Sequence, residues 1–192
     1  MSICQQACPG SPYFNEERDF RANVGRESAD FLVLGNVLHE IDPLDWLPLF
    51  SGDGFIQWLL KPNGYILIVE DMEMRVGEKA HQRGFVVLDT ADIRVLFGVK
   101  ELQTGFVMDD ARGEGRSNAH LVPASCVGNV SASFLREALK QVKHLAKEEI
   151  KILRQGNTSC RAGRKHAFYC QVRSIGDSGV RPSSGAAKVG CC

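Results

Sequence analysis

The stretch that decides the fold is Asp30-Phe31-Leu32-Val33-Leu34-Gly35-Asn36-Val37-Leu38-His39-Glu40-Ile41. It opens with an uninterrupted apolar run over 31–34, which is typical of a parallel strand buried on both faces. Polar side chains follow the run immediately. Because ligands of open α/β sheets bind outside the carboxyl ends of the strands, this stretch predicts a strand that ends at a ligand-binding edge.

A second apolar run, Tyr65 to Val69, ends in Glu70 and Asp71. The preceding Lys61-Pro62-Asn63-Gly64 is typical of a turn, because proline presets its own φ and glycine accepts φ above zero. Between the two runs, Pro43 to Leu60 has helical spacing that is interrupted around 51–54. A strand, helix, turn and strand in this order predict an α/β fold with a mostly parallel sheet.

The rest of the chain extends this pattern. We expect a third extended run over Gly84 to Leu88, a short helix over 91–97 capped by Thr90, a loop over 109–118, a long amphipathic helix over 131–155 and a last strand over 166–172. The predicted division is an irregular N-terminal segment over 1–29, an α/β body over 30–173 and a flexible tail over 174–192.

The composition is that of an ordinary globular protein of 192 residues with zero net charge. The charge is unevenly spread: residues 136–192 carry 12 Lys or Arg against 4 Asp or Glu, a net of +8. This disfavours a uniformly basic nucleic-acid binder but allows a local basic surface. Six basic residues of the long helix share one arc, namely Arg136, Lys140, Lys143, Lys147, Lys151 and Arg154. A solvated outer face is the favoured interpretation, and an RNA-binding surface is the weaker alternative.

The apolar runs and the cysteines both bear on the cellular compartment of the protein. No apolar run is long enough to span a membrane and no secretory signal is visible, so we expect a cytoplasmic protein. The seven cysteines form no CxxC pair, and we expect most of them to be free thiols. The pair Glu78 and His81 does not have the spacing of a zinc motif, so no metal site is predicted.

His39 is the candidate base of the site. An imidazole exchanges protons close to neutral pH, and the adjacent Glu40 adds negative charge beside it. The alternative is that His39 only hydrogen-bonds the backbone next to a helix start, a role that histidines commonly have. The residues alone leave both interpretations open.

Residues 30–41 and 59–71 resemble the fourth and fifth strands of class I S-adenosylmethionine-dependent methyltransferases. The segment Val37-Leu38-His39-Glu40 is similar to the "LHD" segment of the small-molecule O-methyltransferases, in which the histidine deprotonates the acceptor hydroxyl. The "LKPNGY" turn is similar to the "LkPgG" that precedes the fifth strand of that family. The resemblance implies a partial Rossmann-like methyltransferase fold.

The resemblance also implies roles for individual residues. His39 becomes the catalytic base and Glu40 its acidic neighbour. Gly35 and Asn36 would border the cofactor or the acceptor, and we assign them to cofactor binding. Glu70 and Asp71 would border the pocket of a small-molecule acceptor, although a solvated strand end explains them equally well.

One departure from the family is substantial. No glycine-rich cofactor loop follows a buried strand, and only about 30 residues precede the first strand, the length of a single βαβ unit. The chain is therefore expected to be a C-terminal half that lacks the cofactor-loop half and binds S-adenosylmethionine only if that half is supplied. The alternative function is a non-catalytic module that associates with RNA, with a partner chain or with a second copy, the protein contacts being made through its open sheet edge.

Overall fold

The computed structural model describes residues 13–71, 86–99, 107–110, 117–156 and 159–178. Within them the chain is an α/β structure with four strands: β1 (Ala29–Gly35), β2 (Leu60–Asp71), β3 (Val107–Asp110) and β4 (Ser117–Pro123). The helices are α1 (Glu17–Asn23), α2 (Trp46–Phe50), α3 (Phe55–Leu59), α4 (Thr90–Leu96), α5 (Ala124–Val127), α6 (Ala132–Gln155) and α7 (Cys160–Ser178). Two 3-10 turns, Leu38–Glu40 and Pro43–Asp45, follow β1.

The strand order is β1-β2-β4-β3, and the sheet is mixed. The predicted parallel pairing of the first two apolar runs is confirmed, since β1 and β2 are parallel neighbours. The mostly parallel sheet is a correction: β4 runs antiparallel to both β2 and β3. The connection 111–116 between β3 and β4 is too short for a parallel return, which needs a crossover of a dozen or more residues, so these two strands are antiparallel. The loop predicted over 109–118 thus contains the end of β3 and the start of β4.

The residues 61–64, predicted as a turn before the second strand, instead belong to β2, at the point where its pairing with β1 is irregular. Ala29 pairs with Leu60 but Phe31 pairs with Tyr65, so residues 61–64 bulge out of the ladder. A Cβ on Gly64 would lie only 3.0 Å from the carbonyl oxygen of Ala29. Glycine at this position therefore lets the two strands approach each other closely.

The two faces of the sheet are packed differently. Ile66, Ile68 and Val122 lie on one face and are fully buried in a core that includes Trp46 and Phe50. Phe31 and Val33 of β1 lie on the other face, and they are 63% and 64% exposed. The ring of Phe31 stacks on Tyr65 with 5.7 Å between centroids. Only one face of β1 is thus covered by the described residues, which differs from the double burial that its apolar run predicts.

Helix α6 confirms the predicted amphipathic helix. It begins after Ser131, whose Oγ accepts the backbone N–H of Phe134 at 3.3 Å. The residues buried on its inner face are Leu135, Ala138, Leu139, Val142, Ala146 and Ile150. Its basic arc is mostly exposed and partly neutralised, since Lys151 pairs with Glu148 at 2.6 Å. This supports the solvated interpretation of the basic residues.

Four predicted segments differ from the structure. The expected strand over 166–172 is part of helix α7, because Phe168, Tyr169 and Val172 share one helix face that packs toward α6. That helix continues to Ser178, into the segment predicted as a flexible tail. Helix α1 lies within the segment predicted as irregular, and residues 86–89 carry no regular structure, while 84 and 85 lie outside the described residues.

The end of α4 generates a prediction about stability. Gly98 has φ +62°, and a Cβ there would lie 2.6 Å from Cε2 of Phe134. Gly98→Ala is expected to lower the free energy of unfolding by about 1–2 kcal/mol, because the left-handed backbone and the phenyl ring both oppose a methyl group. Urea denaturation measures the change. The matched control is Gly163→Ala in α7, where a Cβ meets nothing within 4 Å and a gain of about 0.5–1 kcal/mol is expected. Equal effects at both positions would contradict this account of Gly98.

Candidate functional site

The centre of the candidate site is a buried pair formed by His39 and Glu70. Nδ1 of His39 lies 2.5 Å from Oε2 of Glu70. Both residues are 3% exposed. Oε1 of the same carboxylate accepts the backbone N–H groups of Val37 at 3.1 Å and Leu38 at 2.7 Å. Glu70 therefore ties the turn after β1 to the end of β2.

The strand pattern explains why Glu70 points inward. Side chains alternate along a strand, so Glu70 lies on the same face as Ile66 and Ile68. Its neighbour Asp71 faces the opposite side of the sheet and is only partly buried. The interpretation of Glu70 as a solvated strand end is therefore wrong. Extending the period-2 burial from the apolar run would have identified it as an inward carboxylate that needs buried donors.

Glu40 does not join the pair. It is exposed at the end of the 3-10 turn, and the carboxylate that contacts the imidazole of His39 is that of Glu70. Adjacent residues of a turn point in different directions, so proximity in sequence did not place Glu40 against His39. The acidic neighbour of His39 is thus corrected from Glu40 to Glu70, which the sequence had placed at the acceptor pocket.

A second set of hydrogen bonds crosses the rim of the sheet. Oδ1 of Asn36 accepts the backbone N–H of Asp71 at 2.9 Å, and Oδ1 of Asp71 accepts the Oγ–H of Ser117 at 2.7 Å. Asn36 has φ +51°, a conformation that asparagine tolerates better than most residues. A Cβ on Gly35 would meet nothing within 4 Å, so the surface beside it is open. Gly35, Asn36 and Asp71 thus share the carboxyl-end rim of β1 and β2.

The arrangement has a definite chemical capacity. If Nδ1–H donates to the Glu70 carboxylate, Nε2 is the basic nitrogen of His39, and the carboxylate stabilises the imidazolium that forms when Nε2 takes a proton. The side chain of His39 is also held in one orientation. Nε2 is shielded from solvent in this structure.

A second buried carboxylate, Asp92, lies in the first turn of α4. Asp89 and Asp92 form a reciprocal capping box: Asp92 N–H donates to Asp89 Oδ1 at 2.8 Å and Asp89 N–H donates to Asp92 Oδ2 at 3.2 Å. The cap of this helix is therefore Asp89 rather than the predicted Thr90, which lies 3.0 Å from Nε2 of the buried His120. Burial, with the nearby charge of Asp89 as a smaller cause, raises the pKa of Asp92 to about 8.

The remaining predictions concern metal sites and thiols. Within the described residues no group of three His, Cys, Asp or Glu side chains could hold a metal ion, and Glu78 and His81 lie outside those residues. Cys126, Cys160 and Cys170 are free thiols, as expected. The other four cysteines lie outside the part of the chain that the structure describes.

The buried pair generates a stability prediction. Glu70→Ala is expected to cost about 3–5 kcal/mol of unfolding free energy, because it leaves two backbone N–H groups and an imidazole without their acceptor. The matched control Glu40→Ala removes the exposed carboxylate of the residue directly after His39 and should change stability by less than about 0.5 kcal/mol. Chemical denaturation compares the two variants. A Glu40→Ala cost equal to that of Glu70→Ala would refute the assignment.

Asp92 generates a prediction about pH. The folded protein retains a proton on Asp92 up to about pH 8, whereas the unfolded chain releases it near the ordinary value of 3.8. Folding stability contributed by the protonated carboxyl is therefore lost as the pH rises from about 4 to about 8, with a slope of at most about 1.4 kcal/mol per pH unit. Asp92→Asn lacks this titration but keeps an oxygen that can accept the Asp89 N–H. The stability of the variant minus that of the wild type should increase between pH 5 and pH 8, and a pH-independent difference would contradict the raised pKa.

Comparisons with known proteins add no assignment. No protein-family model matches the chain, and no curated protein or solved structure matches it significantly. Among the described residues, no helix combines the length and the apolar character needed to cross a membrane.

Proposed function

We propose that the chain is the C-terminal half of a methyltransferase-like domain. In this domain His39 takes the proton from a small-molecule methyl acceptor, and Glu70 orients the imidazole of His39. The observation that carries the proposal is the position of the pair. Two apolar strands lie side by side in parallel, and their carboxyl ends bring the imidazole and its carboxylate to one rim. That is the edge at which α/β sheets bind ligands.

The residues supply a proton-transfer site and one wall of a cofactor site. S-adenosylmethionine would supply the methyl group: the acceptor oxygen or nitrogen would attack the sulfonium methyl carbon in line, and the carbon–sulfur bond would break with S-adenosylhomocysteine as the leaving group. The protein's own residues mainly align the reactants, and His39 takes the proton of the acceptor. The open surface beside Gly35 fits a cofactor wall, since a Cβ there would meet nothing. Asn36 is already bonded to the backbone of Asp71, so the proposal requires the remaining cofactor contacts to be supplied by residues outside this site.

A specific observation favours a second candidate function, a non-catalytic module that binds a partner chain along β1. Phe31 and Val33 are the most exposed of the large apolar side chains in the described residues, and β1 is an edge strand there. Unpaired edges with exposed apolar residues promote strand addition. The shielding of His39 Nε2 also fits this alternative. Association with RNA has weaker support, because Lys140 and Lys151 on the basic face of α6 already pair with glutamates.

The cytoplasmic location predicted from the sequence belongs to the proposal. Free thiols such as those of Cys160 and Cys170, both exposed, persist in a reducing compartment.

The experiment compares the isolated chain with its native assembly. Isothermal titration calorimetry of the isolated chain should show no saturable binding of S-adenosylmethionine. The assembly recovered by affinity purification from native cells should bind it and transfer its labelled methyl group. His39→Gln in that assembly is expected to lower methyl transfer by about 100-fold or more and to leave cofactor binding unchanged, because general-base contributions are of this order.

The controls separate the two functions. Phe31→Lys with Val33→Lys should release the partner, whereas Ile152→Lys, which changes an apolar side chain 60% exposed on α6, should not. An assembly that forms through β1 yet binds no S-adenosylmethionine would leave the non-catalytic module as the function. Full methyl transfer by the His39→Gln assembly would remove His39 as the base, and saturable cofactor binding by the isolated chain would contradict the half-domain.

A further inference from the structure

A cleft of about 180 Å³ lies between the start of α4 and the helices α6 and α7. Its apolar lining includes Val87, Val142 and Val172, all buried. The rings of Phe168 and Tyr169 complete this lining, with 5.2 Å between their centroids. These residues belong to elements other than β1 and the turn that hold His39, so the cleft is separate from the rim described above.

Three carboxyl side chains line the same cleft: Asp89, Asp92 and Glu149. Asp92 is only 2% exposed, and its Oδ1 has no hydrogen-bond partner among the described residues. Its other oxygen is engaged in the capping box with Asp89. A buried carboxyl oxygen without a partner costs free energy, and such groups in a cleft are compensated when a ligand supplies the missing donor.

We propose that this cleft binds a small protonated amine that carries one apolar ring, with the ammonium group donating to Oδ1 of Asp92. The cleft's carboxyl groups select a cation over a neutral molecule or an anion. The interaction is independent of methyl transfer, since it uses none of the residues assigned to that function.

The dimensions and the lining agree with this class of ligand. An apolar cavity of about 150 Å³ accommodates benzene, so a cleft of about 180 Å³ suits a single ring with a short polar arm. An ammonium group has three donors, one for Asp92 and others for Asp89 or Glu149. Aromatic faces such as those of Phe168 and Tyr169 also attract cations.

Electrostatics couple binding to a proton. Desolvation raises the pKa of Asp92 to about 8, and the charge of Asp89 adds to the rise. The other titratable groups that line the cleft are Glu149 on α6 and Tyr169 on α7. A bound ammonium group favours the ionised carboxylate, so binding at pH 7 should release a proton from Asp92 and tighten as the pH rises toward 8.

The test uses benzylammonium chloride with benzyl alcohol as the neutral probe of similar shape. Calorimetry of the full chain at pH 7 should show saturable binding of benzylammonium, at least about tenfold tighter than that of benzyl alcohol, because a hydrogen bond to a charged group is worth at least that factor. The heat of binding should vary with the ionisation enthalpy of the buffer, as proton release requires. Amide chemical-shift changes in the wild type should centre on Asp92, Glu149 and Tyr169.

Matched variants locate the interaction. Asp92→Asn should weaken benzylammonium binding about tenfold and leave benzyl alcohol binding unchanged. Glu148→Gln is the control, because Glu148 pairs with Lys151 outside the cleft, and it should bind both probes as the wild type does. Equal affinity for the two probes, retention of tight amine binding by Asp92→Asn, or shift changes confined to other surfaces would each overturn the proposal. The last measurement needs no variant, so a folding defect cannot hide the result.

Discussion

The organisation of the β1–β2 edge depends on the carboxylate of Glu70. It lies at the end of a strand whose alternation directs it into the core, and three donors from a single turn meet it there: two backbone N–H groups and the imidazole of His39. A buried carboxylate with fewer partners would be costly. The turn after β1 is therefore fixed against the end of β2 by electrostatics as well as by packing, which gives the candidate base its position.

This constraint gives the parallel pair a role beyond the core. The β1–β2 register aligns Gly35 with Val69, so Asn36, which follows β1, lies beside the last two residues of β2, Glu70 and Asp71. The side chains then separate by face. His39 and Glu70 lie on the covered side, and Asp71, bonded to Asn36 and Ser117, lies toward the less covered side. One rim thus carries the buried His39–Glu70 pair and, starting at the next residue of β2, the more accessible hydrogen bonds of Asp71.

The features predictable from sequence were those with a local or periodic cause. Residue spacing predicts the two apolar runs, the long helix and the buried face of that helix. The first apolar run also predicts that His39 follows a strand. The helix over 160–178 was missed because Phe168 and Tyr169, read alone, suit a strand equally well, and only packing toward α6 decides between the two. The pairing of His39 with Glu70 was missed because its partners are 31 residues apart, and a neighbouring Glu40 offered a simpler but incorrect partner.

Glu70 and Asp92 are nearly equally buried, at 3% and 2% exposure, yet they have different surroundings. Both oxygens of Glu70 have donors, so its negative charge is compensated inside the protein. One oxygen of Asp92 has no donor among the described residues, and the neighbouring acid Asp89 opposes its ionisation. A buried carboxylate whose oxygens all have hydrogen-bond donors stabilises the structure around it. A buried carboxylate beside a cleft that lacks a donor can gain one from a ligand, and that hydrogen bond would favour binding. That difference in hydrogen-bond accounting is why we assign an orienting role to Glu70 and a ligand-binding role to Asp92.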